Sequence, residues 1–140
     1  MHYLCLVYGQ EDDHDGRDRE AEAEAHALVD SLAESGYDIS VVALALSHES
    51  TAVRVTGDGL VLTDGPAVSG PLRLRSVYVL GARDLNEAVR LAVWLPEAHS
   101  ATIEIRPIQG RSPRTVVTPQ HTPAAPAPAS PADQPASAAD

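Results

Sequence analysis

The sequence predicts an α+β domain of ferredoxin-like βαββαβ order, expanded by an extra hairpin in its middle. Three patterns carry that expectation. Short runs rich in β-branched residues mark strands, and two segments with apolar residues at three- and four-residue spacing mark helices. The third pattern is a change of composition near Gly110, after which proline, alanine, serine and threonine dominate. At 140 residues the chain has room for one domain, placed at residues 1–108, with a Pro/Ala-rich tail at 109–140.

The first strand is expected over His2 to Tyr8, an apolar and aromatic run that stops at Gly9. From Arg19 to Ser35, Ala25, Leu28, Val29 and Leu32 share one helical face, and Gly36 follows as the stop. Ile39 to Leu46 reads as a short strand. Thr51–Val55 and Leu60–Thr63 read as a hairpin through Thr56-Gly57-Asp58-Gly59, with both glycines supplying positive backbone angles. Gly70-Pro71 breaks the chain before a strand at Val77–Leu80. Asp84 is positioned to cap a second helix, with Glu87 reaching back and Leu85, Ala88, Val89, Ala92 and Leu95 facing the core until Pro96 ends it. Trp94, the one tryptophan, is expected to anchor that helix on the sheet or at an interface. Ala101 to Arg106 alternates and closes the domain before Pro107. With both helices on one sheet face, the other face needs cover, so a homodimer is expected, of the dimeric α+β barrel kind.

Composition excludes several functions. The net charge is −10 and all ten basic residues are arginine, so the chain lacks the basic surface that neutralises phosphates, and no direct nucleic-acid contact is expected. No stretch approaches the roughly 18 apolar residues of a membrane span, and Met1 leads into strand residues without a leader pattern. A cytoplasmic protein without a membrane partner is expected. The single cysteine, Cys5, alternates inward as a small hydrophobe. Glu11, Asp12, Asp13, Asp15, Asp18, Glu20, Glu22 and Glu24 crowd one stretch, which reads as a solvated loop entering a helix N-terminus. Their spacing around Gly16 is not that of a calcium loop. The histidines show no ligand pairing, so no metal and no cofactor are expected. No glycine-flanked serine nucleophile or phosphate-cradling loop is present.

Ordered fragments along residues 1–108 carry a family resemblance. They are Tyr3-Leu4-Cys5-Leu6-Val7-Tyr8-Gly9, Thr51-Ala52-Val53-Arg54-Val55, Asp58-Gly59, Thr63-Asp64-Gly65-Pro66, Ala82-Arg83-Asp84-Leu85 with Glu87-Ala88, Leu95-Pro96 and Ile103-Glu104-Ile105-Arg106-Pro107. Together they resemble the YCII-related family, in the branch named for its Asp-Gly-Pro-Phe signature. The chain departs from that pattern where Ala67 replaces the phenylalanine, Ser69 a glutamate, Pro71-Leu72 a Lys-Glu pair and Arg75-Ser76 a Gly-Gly pair. These positions are expected at a cavity mouth. The changes at Ser69 and Leu72 remove groups able to act as acid, base or metal ligand, while Ala67 and Gly70 leave room for a larger pocket.

The resemblance implies a catalytic pair made by a histidine on the first helix and an aspartate, for which His26 and Asp64 are the matching positions. A histidine oriented by a carboxylate exchanges protons near neutral pH; the competing readings are a surface histidine and a turn-forming Asp64 that accepts bonds from following amides. Arg54, Gly65, Pro66, Ser69 and Tyr78 are the candidate ligand-binding residues, with a cross-strand ion pair as the alternative for Arg54. The expected function is binding of a small molecule in a cleft between sheet and helix, with a lyase, isomerase or tailoring-type reaction through His26 and Asp64. The alternative that the resemblance implies is a non-catalytic accessory protein associated with transcription-initiation sigma factors.

Overall fold

The computed structural model describes residues 1–11 and 15–110. The side chains of residues 12–18, in the acidic stretch, and the tail from residue 111 lie outside the described residues. The elements run β1 (His2–Gly9), α1 (Asp15–Glu34), β2 (Ile39–Ala43), β3 (Thr51–Thr56), β4 (Gly59–Asp64), β5 (Arg73–Gly81), α2 (Leu85–Ala92) and β6 (Thr102–Pro107). Short 3-10 turns lie at Ser47–Glu49 and Pro96–His99.

The main sheet has four strands in the order β2-β5-β1-β6, all antiparallel. Without the separate β3–β4 hairpin this is the ferredoxin-like arrangement, with the two longest strands central. The sheet of one chain is open, not a closed barrel.

Alternation along β1 sets the core. Tyr3, Cys5 and Val7 point to the helix side, where they meet Leu80, Tyr78 and Ser76 of β5 across the ladder. Ala25 of α1 and Ala88, Leu91 and Ala92 of α2 pack on that same face together with Leu95. Both helices therefore cover one face, as the βαββαβ order requires. Each of the fully buried Tyr78, Leu80, Leu95 and Val7 side chains contributes about 1.5–3 kcal/mol by leaving water. The small residues on α1 and α2 let the helices lie close to the sheet.

The helix ends follow their local chemistry. Gly36 adopts φ +92°, and the amides of Gly36 and Tyr37 donate to the carbonyls of Ala33 and Leu32, closing α1. Asp84 accepts from the Glu87 amide at 2.9 Å, as expected of a cap. The Glu87 carboxylate reaches back to the Arg83 amide at 2.6 Å.

Several sequence expectations need correction. The first helix starts earlier, at Asp15; β2 ends at Ala43, and β5 begins at Arg73. Only Gly59 of the hairpin glycines has a positive φ, +127°; it follows the two-residue Gly57-Asp58 turn and pairs with Thr56. On α2, Leu85 and Val89 face solvent and Leu91 faces the core: a helix this short has a narrow buried stripe. Trp94 does not anchor on the sheet; it is 72% exposed.

Candidate functional site

A β-bulge builds the site. Ser76 pairs with Val7 and Leu74 with Tyr8, so Arg75 is an extra residue in β5. Such a bulge re-aims a side chain, and here Arg75 and Ser76 both line a polar cavity of about 80 Å³ between the sheet and α1. The Leu44 amide donates to the Arg75 carbonyl at 3.0 Å and fixes the bulge from the β2 side. Gly9 clears the path, since a Cβ there would lie 3.1 Å from Arg75 Cδ.

Glu97 forms part of the same wall. It stands on the turn that Pro96 initiates after Leu95. The hydroxyl of fully buried Tyr78 donates to its Oε2 at 2.9 Å and to its Oε1 at 3.1 Å, and Ser76 Oγ donates to Oε1 at 3.3 Å. Burial and the facing Glu97 carboxylate push the Tyr78 phenol far above its ordinary range, so it stays a donor and Glu97 keeps a fixed orientation. His26 and Glu22 of α1 also line the cavity, with Nε2 of His26 3.8 Å from Glu22 Oε1. At the rim, Glu11 accepts from the Ser47 amide at 2.8 Å and from Ser47 Oγ at 2.6 Å, tying the end of β1 to the turn after β2.

A second cavity, of about 520 Å³, adjoins the first through the shared segment Leu44–Leu46. Its lining is mainly apolar, including Pro66, Ala67, Val68, Leu72 and Leu74. Arg73 is held at its edge by donation to the Val68 carbonyl at 3.2 Å.

The candidate residues separate in space. His26 lines the polar cavity and Tyr78 orients its carboxylate. Pro66 lines the apolar cavity. Asp64 ends β4 opposite Thr51, lines neither cavity, and has no hydrogen bond or ion pair to His26 among the described residues. Nor does it accept from the amides that follow it; the Gly65 amide donates instead to the Ser50 carbonyl at 2.7 Å, with φ +99°. Arg54 stands opposite Val61 on the exposed hairpin, with no ion pair among the described residues. Ser69 is exposed and lines neither cavity. A histidine–aspartate hydrogen bond does exist, but between His2 and Asp38, at 2.7 Å.

Of the departures noted in the sequence, Ala67 and Leu72 line the apolar cavity while Arg75 and Ser76 line the polar one. A model of the YCII-related domain matches residues 1–110. The chain belongs to the YCII-related family. No curated protein matches the chain. Within this YCII-related domain, no helix among the described residues is long and apolar enough to cross a membrane.

Sequence reasoning missed Glu97. The Leu95-Pro96 pair was visible only as a helix stop, and nothing in the local pattern ties Glu97 to Tyr78, 19 positions earlier. The one available signal was an acidic residue directly behind a proline that starts a new turn.

Proposed function

We propose that this YCII-related protein binds a small organic molecule at the polar cavity, and that His26 and Glu97 exchange protons with it. The observation that carries this reading is the Glu97 carboxylate, oriented by two hydroxyl donors on a wall of the cavity that His26 also lines. An oriented carboxylate and a histidine on one cavity are a constellation for general acid–base chemistry, of the kind used in isomerase or lyase steps. Arg75 brings a cation to a lining that also holds Glu11, Glu22 and Glu97, so the cavity suits a neutral ligand group that donates and accepts hydrogen bonds. In this reading Glu97 takes the part first assigned to Asp64.

Cavity size narrows the ligand. Small-molecule sites occupy about 300–1,000 Å³, so the polar cavity of about 80 Å³ holds only a small polar head. The adjoining cavity of about 520 Å³ is the place for an apolar remainder. The ligand class is thus a small molecule with one hydrogen-bonding end and one apolar end, and the chemistry needs no cofactor.

The protein acts as a homodimer in this account. Both helices cover one sheet face, which leaves Leu4, Leu6, Val77 and Val79 on the other without a helix over them; a second copy supplies the cover.

A thermal-shift screen of the full chain against small molecules with one polar and one apolar end tests the proposal. Dose-dependent stabilisation is expected from one chemical class, lost in His26→Ala and Glu97→Gln and retained in Asp64→Ala. Stabilisation that survives both cavity substitutions contradicts it.

A further inference from the structure

The β3–β4 hairpin has an apolar face with no other element of the described residues packed substantially against it. Pairing sets Val53 opposite Leu62 and Val55 opposite Leu60, which places all four on one side. Their exposures are 63%, 60%, 77% and 63% in that order. The other side carries Ala52, Arg54, Thr56, Val61 and Thr63 and is the more polar one. Neither strand makes substantial contact with any other element; the backbone bond from Gly65 to Ser50 only closes its base. An isolated two-stranded hairpin is marginally stable in water, and an amphipathic one that leaves its apolar side wet needs a partner surface.

We infer that this hairpin is an arm exchanged between two copies, each laying its Val53, Val55, Leu60 and Leu62 face on the helix-free sheet face of the other. The inference rests on the homodimer reading and deepens it. Both surfaces belong to one chain, both are apolar, and each is the cover the other lacks. The arm is long enough to cross the apolar part of that face. Six-residue strands at about 3.3 Å per residue reach roughly 20 Å, and the three strands β1, β5 and β2 at about 4.8 Å span roughly 14 Å; Glu104 and Arg106 of β6 lie beside them on the same face. A two-strand arm is roughly 10 Å wide, so one arm face given and one received bury a projected area of about 400 Å² on each copy, which pleated side chains enlarge toward the roughly 800 Å² per partner of a stable interface. Reciprocal exchange through a twofold axis closes the assembly and leaves no free apolar arm to propagate it.

The receiving surface is specified by register. Leu4 lies beside Val79 and Leu6 beside Val77, with Val42 on the far side of Val77. This makes an apolar strip across the three strands β1, β5 and β2, and Val42 at 49% exposure is its most open member.

The test is the mass of the full chain by size exclusion with light scattering, for wild type and for the arm variant Val55→Asp with Leu60→Asp. These positions lie outside the core, so circular dichroism is expected unchanged. Arm exchange predicts a wild-type dimer that becomes a monomer in the double variant. A wild-type monomer overturns the homodimer reading and the arm with it. A double variant that stays dimeric overturns the arm alone and leaves a face-to-face dimer standing. A second measurement separates exchange from arm-to-arm packing. Copies carrying Val55→Cys are mixed with copies carrying Val79→Cys and treated with a short bismaleimide. A cross-linked heterodimer is expected, since the native Cys5 is fully buried; cross-links confined to pairs of Val55→Cys copies overturn the proposal.

Discussion

Tyr78 donates its buried hydroxyl to both carboxylate oxygens of Glu97, at 2.9 and 3.1 Å. The bond joins the central strand β5 to the turn after α2, so one contact links the sheet core to the wall of the polar cavity. Its loss has a structural consequence and, in the proposed reading, a functional one.

Tyr78→Phe keeps the ring in its slot and removes the donor. A hydrogen bond to a charged acceptor contributes about 1.5–3 kcal/mol, and a loss of that size is expected in urea unfolding. The pH dependence has a definite sign. Because the folded-state phenol is pushed above its ordinary value of 10.0, Tyr78 favours folding at lower pH, and this contribution declines as pH rises past that value. Wild type should lose stability in alkali more steeply than Tyr78→Phe.

Cys5 is buried between β5 and β6 neighbours, and burial pushes its thiol up to about 11. A thiolate-selective reagent at pH 8 should leave the native protein unlabelled and react with one thiol per chain after unfolding. Cys5 also adds to alkaline sensitivity, since its preference for the neutral thiol favours folding below the ordinary value of 9.0 and fades as pH climbs toward 11. Prompt labelling of the folded protein would contradict this placement.

Asp84→Ala removes the cap on α2 and should cost about 1 kcal/mol, read as a lower melting temperature. Beside it, the Arg83 amide and guanidinium hold Glu87 below the usual carboxylate range. A depressed folded-state value means that the Glu87 carboxylate favours folding above its ordinary value of 4.5 and loses that effect as pH falls through the folded-state value. The carboxyl carbon of Glu87, followed by NMR, should titrate at lower pH than in an unfolded peptide, and Arg83→Ala should narrow the gap.

Gly9→Val fills space that Arg75 now occupies, the first added carbon alone lying 3.1 Å from its Cδ. Overpacking of this kind costs about 1–3 kcal/mol. Arg75→Ala should relieve much of that cost, so the double variant is expected to be more stable than the sum of the single effects predicts. Strict additivity would show that the two positions do not compete for space.

The fold was legible where a pattern repeats. Tyr3, Cys5 and Val7 alternate inward, Gly36 ends α1 and Asp84 caps α2, each for a reason local to the chain. The beginning of β5 was not legible, because Arg73-Leu74-Arg75-Ser76 shows little apolar signal and its bulge is fixed by pairing with Val7 and Tyr8 far away in sequence. The site was half legible. His26 and Tyr78 could be picked out, yet the carboxylate that Tyr78 holds on the cavity lined by His26 is Glu97, brought there by the packing of the turn after α2 against β5. Asp64 looked suitable because of its neighbours in sequence, and the hairpin carries it elsewhere.

The most direct measurement is amide NMR of the full chain titrated with the strongest ligand from the thermal screen. Binding at the polar cavity predicts shifts concentrated at Leu44–Leu46, Arg75, Ser76 and Glu97, abolished by Glu97→Gln. Shifts concentrated on the β3–β4 hairpin, or an unchanged response in Glu97→Gln, would place the ligand elsewhere and contradict the account.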